Sequence, residues 1–64
     1  MRFGVDLGGT KTEIRALDES GREVLRRRIA TVRDYAGTVA AIAGLVAETE
    51  RELGQSGSVG LAIP

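Results

Sequence analysis

The first residues of the chain alternate between apolar and polar positions and predict a β-strand. Phe3, Val5 and Leu7 are apolar, and single polar residues or glycine separate them. A period of two is the pattern of a strand with one buried face. The alternation stops at Gly8-Gly9, where a turn is expected.

Two further segments have strand character and continue the chain as a meander. Residues 12–17 are rich in β-forming residues, and a third strand fits residues 23–29. The turn between them falls on residues 18–21, which read Asp-Glu-Ser-Gly. Because short glycine-containing loops join antiparallel neighbours, we expect a three-stranded antiparallel meander.

The apolar period changes near residue 35 and predicts an α-helix. The apolar residues at helical spacing are Tyr35, Val39, Ile42, Val46 and Leu53, and we expect the last four to pack on the sheet. Asp34 is expected to cap the N-terminus, and Gly54 to end the helix. Residues 59–63 predict a fourth strand. A helical crossover returns a strand parallel to an earlier one, here the first.

These elements define an α/β fold with one helix on a four-stranded sheet. The helix can cover one face only, and the first and fourth strands are interpreted as apolar on both faces. We therefore expect an uncovered sheet face, which either more chain covers or through which this segment self-associates.

The composition argues against several classes of function. The 64 residues contain nine Lys/Arg and nine Asp/Glu, so no net charge attracts nucleic acid or an anionic membrane. The absence of Cys and His argues against a disulfide framework or a structural zinc site in this segment. No apolar run approaches the roughly 18 residues of a membrane span. We expect a cytoplasmic protein without nucleic-acid or membrane partners.

The turn after the first strand carries the candidate chemistry. Gly8 and Gly9 let backbone N–H groups approach phosphate oxygens without a Cβ in the way. The Thr10 hydroxyl can donate to a phosphate, and Lys11 adds a positive charge. Asp6 is placed to hold Mg²⁺, through water because this ion dehydrates reluctantly. Phosphoryl transfer needs such positioning and charge neutralisation.

An ordinary hairpin turn, in which the glycines supply positive φ and Asp6 starts the turn, is the main alternative. The added Asp, Thr and Lys at these offsets favour the phosphate site. Two glycine-rich nucleotide motifs fail on spacing. A Walker loop needs Gly-x-x-x-x-Gly-Lys-Ser/Thr, and the dinucleotide fingerprint needs Gly-x-Gly-x-x-Gly before a helix. Here a strand follows the turn.

Charged residues outside this turn are interpreted as structural. Strand alternation places Arg26 and Arg28 on one face and Arg27 on the other, so the three do not form one phosphate or nucleic-acid surface. A charged edge strand is the expectation. Glu13 could reach a ligand cleft, but a cross-strand arginine is its favoured partner.

In these motifs the chain resembles the ROK sugar kinases, which belong to the actin, Hsp70 and hexokinase superfamily. Residues 4–13 (GVDLGGTKTE) are similar to the first phosphate-binding segment of the family, and residues 61–64 (LAIP) to the strand after its first helix. Residues 1–4 and 31–35 look most like the bacterial fructokinases, also called mannofructokinases.

The resemblance implies an RNase H-like lobe of the actin/hexokinase ATPase type. Residues 1–64 would be a partial N-terminal ATP-binding lobe of a longer two-lobed kinase. In the family the catalytic base, the sugar-binding residues and a zinc cluster lie further along than Pro64. The resemblance therefore assigns no catalytic residue here and implies that this segment alone is inactive.

The resemblance also implies ATP and Mg²⁺ as cofactors. Asp6 would position the metal and the γ-phosphate, and the ATP phosphates would lie on Gly8, Gly9, Thr10 and Lys11. The implied activity is ATP-dependent phosphorylation of a hexose, with fructose favoured, by a homodimer. Alternatives are a glucose or N-acetylglucosamine kinase of the same family and a sugar-responsive transcriptional repressor. Such repressors carry a helix-turn-helix before the motif, which is not expected here.

Overall fold

The computed structural model describes residues 1–62, which form four strands and one helix. They are β1 (Arg2–Leu7), β2 (Lys11–Leu17), β3 (Glu23–Ala30), α1 (Tyr35–Leu53) and β4 (Ser58–Ala62). The sheet order is β3-β2-β1-β4, with β4 parallel to β1 and the other neighbours antiparallel. The predicted meander, crossover helix and parallel fourth strand are confirmed. Ile63, included in the predicted fourth strand, lies outside the described residues.

Both ends of α1 are built as the sequence predicts. The Asp34 carboxylate accepts a hydrogen bond from the Gly37 N–H at 2.7 Å, which satisfies a donor that has no partner within the helix. Gly54 follows the last turn with φ of 67°, a left-handed conformation that glycine adopts at little cost.

The core lies between α1 and one face of the sheet. Its buried apolar residues are Phe3, Val5, Ile14, Ala16 and Leu45. Strand register sets Phe3 beside Ala16 and Val5 beside Ile14, so the four side chains form one continuous apolar surface. Leu45 of α1 packs onto that surface.

One residue of the stripe predicted to pack on the sheet does not do so. Val39 is 50% exposed, so the prediction is wrong for this residue, and Tyr35, one turn earlier, is 86% exposed. Ile42, Val46 and Leu53 do pack against the core. An apolar period shows which side of a helix is buried, whereas the position of the sheet decides which turns are covered.

The buried residues of α1 are Leu45 and Thr49, which the apolar pattern does not single out. The Thr49 hydroxyl donates to the Leu45 carbonyl oxygen at 2.7 Å, so a polar side chain is buried with its hydrogen bond satisfied. Within the described residues no helix has the length and apolar character needed to cross a membrane.

The face of the sheet opposite α1 is polar. The residues that β1 and β2 expose there include Arg2, Gly4, Asp6, Lys11 and Arg15. The prediction that β1 is apolar on both faces is therefore wrong, because glycine and charged residues occupy every second position. Within residues 1–62 this face does not carry the apolar surface invoked for self-association.

Exposed apolar surface lies instead on the helix side of β4. Val59 and Leu61 are the register partners of Phe3 and Val5 and share their face. They are nevertheless 49% and 53% exposed. The reason is that α1 packs mainly over β2, which leaves this end of the sheet uncovered by residues 1–62.

Candidate functional site

The turn between β1 and β2 brings two backbone segments close together at Gly8. Its N–H donates to the Lys11 carbonyl oxygen at 3.0 Å. A Cβ on Gly8 would lie 2.8 Å from that oxygen, so the close approach excludes a larger residue. In residues 1–62 the glycines with positive φ are Gly21 and Gly54, outside this turn. The alternative in which these glycines supply positive φ is therefore wrong.

The same turn presents backbone donors to solvent. Gly9 and Thr10 are exposed, and within residues 1–62 neither N–H donates to a protein acceptor. A Cβ on Gly9 would meet no atom within 4 Å, which leaves room for a ligand to approach. Successive free N–H groups in a turn form a concavity that suits an anion.

Asp6 and Lys11 lie beside the turn on the polar face of the sheet. Asp6 is the register partner of Glu13, and Lys11 precedes Glu13 by two residues, so all three share this face. Asp6 and Lys11 are exposed, and neither takes part in the ion pairs of the described residues. A carboxylate and an ammonium group are thus available to a ligand.

The Glu13 carboxylate is paired with arginines. It accepts from Arg28 Nη2 at 2.9 Å and from Arg15 Nε at 3.1 Å. The hydrogen bond from Arg28, followed by that from Arg15, holds the pKa of Glu13 below its usual value. The predicted arginine partner is confirmed. Of the two neighbouring carboxylates, Asp6 is therefore the one left for a cation.

The arginines of β3 divide between the two faces, as predicted. β3 is an edge strand. Arg26 and Arg28 both approach Glu13 on the polar face, whereas Arg27 pairs with Glu52 of α1. The three side chains do not form a single basic surface.

Thr31, directly after β3, is a residue of the site that the sequence reasoning misses. Its hydroxyl donates to the Gly8 carbonyl oxygen at 2.8 Å, and its N–H donates to the Thr10 carbonyl oxygen at 2.9 Å. The register of the sheet is the signal that could find it. Because Lys11 lies opposite Ala30, the residue that follows Ala30, Thr31, lies beside the turn.

Among the described residues, this strand–turn–strand unit offers N–H donors without protein acceptors, a lysine and an aspartate outside any ion pair. Such a site suits an anionic ligand that carries a cation. Residues 2–64 match the ROK family, and the chain belongs to this family. The predicted relationship is confirmed.

Two curated relatives are named N-acetyl-D-glucosamine kinase. That of Vibrio cholerae is 46% identical over 65 residues and that of Photobacterium profundum 40% identical over 65 residues. Each comparison covers 100% of this chain and 22% of the relative.

A solved structure, a ROK family glucokinase from Streptomyces griseus in complex with glucose and AMPPNP, has a TM-score of 0.83 and 35% identity. The match covers 97% of this chain and 20% of that one. It confirms the predicted fold class, part of an actin/hexokinase-type lobe. The chain therefore spans 20–22% of the length of these proteins.

Proposed function

We propose that the protein carrying this segment is an ATP-dependent sugar kinase. Residues 1–62 would supply its phosphate-binding turn, as part of an N-terminal ATP-binding lobe. The observation that carries the proposal is the turn itself, where the free N–H groups of Gly9 and Thr10 lie beside exposed Lys11 and Asp6. The relatives named above support it, because they are sugar kinases and one is in complex with AMPPNP.

Each residue of the turn receives a role that its position supports. The Gly8 N–H donates to the Lys11 carbonyl oxygen and is therefore not available to a phosphate. We place Gly8 in the wall of the phosphate site, where it keeps the backbone close to Lys11. The N–H groups of Gly9 and Thr10 donate to phosphate oxygens, with the Thr10 hydroxyl as a further donor. Lys11 offsets phosphate charge, and Asp6 positions Mg²⁺ through water.

The residues fit a magnesium ion bound together with ATP rather than a metal enclosed by protein ligands. No group of three or more His, Cys, Asp or Glu side chains gathers within residues 1–62. A cation at Asp6 would take its other ligands from water and phosphate oxygens, as is usual for Mg²⁺ at nucleotide sites. Bound there, it would neutralise charge during in-line transfer of the γ-phosphoryl group to a sugar hydroxyl.

The other parts of the reaction fall to chain outside this segment. The general base and the sugar-binding residues are expected beyond Pro64, where the family also places its zinc cluster. Residues 1–64 alone would hold one side of a nucleotide site and would transfer no phosphoryl group.

The proposed sugar is N-acetylglucosamine or glucose, with fructose as the alternative. The test is an ADP-release assay of the complete gene product with Mg·ATP and each of these three sugars. We expect kcat/KM for one of the first two to exceed that for fructose by about tenfold or more, because hydrogen bonds between the protein and the sugar are lost with the wrong sugar. Residues 1–64 are the matched negative control.

A preference for fructose would restore the fructokinase assignment. ADP release with none of the three sugars would refute the proposed substrates, and a complete gene product that does not bind AMPPNP with Mg²⁺ would refute the kinase proposal.

A further inference from the structure

We propose that Thr31 is a positioning residue for nucleotide binding. Its hydroxyl holds the Gly8 carbonyl, and this sets the direction in which the next two N–H groups, those of Gly9 and Thr10, face a phosphate. The inference rests on the proposed function and extends the site to a residue that is 21 positions from Thr10 in the sequence.

The Gly8 carbonyl depends on this hydroxyl for its hydrogen bond. A β-turn is often closed by the N–H of its fourth residue, here Lys11, donating to the first carbonyl. Within residues 1–62 the turn lacks that bond, since the Gly8 carbonyl accepts from no backbone N–H of the turn. Thr31 Oγ1 is its donor instead, at 2.8 Å.

A second hydroxyl supports the first. Thr12 Oγ1 lies 3.0 Å from Thr31 Oγ1. A hydroxyl has a single hydrogen to donate, and Thr31 directs its hydrogen to Gly8, so Thr12 must be the donor of this pair. Thr12 is only 3% exposed, and bulk water therefore cannot readily replace it. The hydroxyl of Thr12 in β2, the hydroxyl of Thr31 and the carbonyl of Gly8 in the turn are thus joined by successive hydrogen bonds.

The backbone of Thr31 makes a separate contact with the turn. Its N–H donates to the Thr10 carbonyl oxygen at 2.9 Å, and this bond does not involve the side chain. Thr31→Val keeps the shape of the side chain and the backbone bond but removes the hydroxyl. Thr31→Ser keeps the hydroxyl. The pair isolates the effect of one hydrogen bond on the turn.

The experiment measures nucleotide affinity in the complete gene product. AMPPNP is titrated by calorimetry with Mg²⁺ present, and steady-state assays give KM for ATP and for the sugar. For Thr31→Val we expect the Kd for AMPPNP and the KM for ATP to rise about three- to tenfold, the equivalent of one hydrogen bond. KM for the sugar should not change. Thr31→Ser should stay within about twofold of the wild type.

Two further variants complete the set. Thr12→Val leaves the bond from Thr31 to Gly8 in place, so its loss of affinity should be smaller than that of Thr31→Val. Thr49→Val is the matched control, because it removes a buried threonine hydroxyl that also donates to a carbonyl, but within α1. It should lower the melting temperature and leave the nucleotide affinity unchanged.

The outcomes separate the inference from the proposed function. Wild-type affinity in Thr31→Val overturns the inference alone. Equal losses in Thr31→Val and Thr49→Val also overturn it, because affinity would then follow stability. If Thr31→Val does not fold, the smaller substitution Thr31→Ala, which also removes the hydroxyl, takes its place, and wild-type affinity in that variant overturns the inference. A wild-type protein that does not bind AMPPNP refutes the proposed function, and the inference with it.

Discussion

The turn at residues 18–21 and the turn at residues 8–10 both join antiparallel strands. Each contains glycine and has an aspartate in it or just before it, Asp18 and Asp6, but the two turns use these residues differently. At the first, the Asp18 carboxylate accepts from the Ser20 N–H at 2.9 Å, the Ser20 hydroxyl at 2.7 Å and the Arg22 N–H at 3.0 Å. Gly21 supplies a positive φ of 85°. That turn satisfies its own polar groups.

The turn at residues 8–10 leaves its polar groups free and is supported from outside. Asp6 has no ion-pair partner in residues 1–62, and the N–H groups of Gly9 and Thr10 have no protein acceptor there. Thr31 holds its carbonyls instead. A structural turn uses its hydrogen-bonding capacity locally, whereas a turn suited to binding keeps that capacity available and obtains its rigidity from a neighbouring strand.

The largest expected effect is the loss of activity on substitution of Asp6, in comparison with Asp18. Asp6→Asn in the complete gene product should lower kcat/KM by roughly 10²- to 10³-fold, the effect typical of losing one charge-stabilising group. Its melting temperature should not fall, because Asp6 lies opposite Glu13 and like charges across a strand pair repel. Asp18→Asn is the matched control and should lower the melting temperature without changing KM for ATP.

Two results would contradict this assignment. Full activity in Asp6→Asn would remove Asp6 from the metal site. A rise in KM for ATP in Asp18→Asn would show that the turn at residues 18–21 also acts on the nucleotide.

An intermediate effect is expected from substitution of Gly8, which is constrained by a close approach, in comparison with Gly21, which has a positive φ. Gly8→Ala places a Cβ 2.8 Å from the Lys11 carbonyl oxygen and should lower the free energy of unfolding by about 1–3 kcal/mol while raising KM for ATP. Gly21→Ala meets no atom within 4 Å but is held at positive φ, at a cost of about 1 kcal/mol. It should leave KM for ATP unchanged.

Thermal unfolding and initial-rate kinetics on both variants check this prediction. If Gly8→Ala bound ATP as well as the wild type, the geometry of the turn would not control the phosphate site.

The smallest expected effect is on the pH dependence of stability, through Asp18. Hydrogen bonds from the Ser20 hydroxyl and from the Arg22 and Ser20 N–H groups hold the pKa of Asp18 below its usual value. A lowered folded-state pKa favours the ionised folded form. The contribution of the Asp18 carboxylate to the free energy of unfolding is therefore complete above the unfolded-state pKa of about 3.9, and it is lost as the pH falls below that value.

Urea unfolding midpoints at a series of pH values from neutral to acidic test this point. Asp18→Asn should lose less stability on acidification than the wild type. An acid dependence as steep as that of the wild type would contradict it. Glu13→Gln, which removes the other carboxylate with a lowered pKa, should flatten the dependence in the same direction.

Local patterns predicted most of the elements because each depends on a few neighbouring residues. The alternation around Phe3 and Val5, the cap at Asp34 and the glycine at Gly54 all have short-range causes, and the structure confirms them. The packing stripe of the helix is predicted correctly except at Val39. The side chain of Val39 is apolar enough to pack, but nothing local shows that the first turns of α1 pass outside the covered part of the sheet.

The candidate site shows the same division. Asp6, Lys11 and the glycines between them are contiguous in the sequence, so a motif can identify them. Thr31 cannot be found this way, since its contact with Gly8 depends on the pairing of β2 with β3. The sequence favoured a cross-strand arginine for Glu13 over a place in the ligand cleft, and the structure shows that Arg28 of β3 is this partner.

Sequence patterns were enough to predict the order of the elements, the caps of α1, the family and the stretch from Asp6 to Lys11. These follow from periodicity, from backbone preferences and from a contiguous motif, which are all short-range properties. Only the folded chain showed that Gly8 is constrained by a close approach, which arginines pair with Glu13, and that Thr31 supports the turn. The physical reason is that a hydrogen bond or an ion pair depends on distances of about 3 Å, which only the packing of distant segments can set.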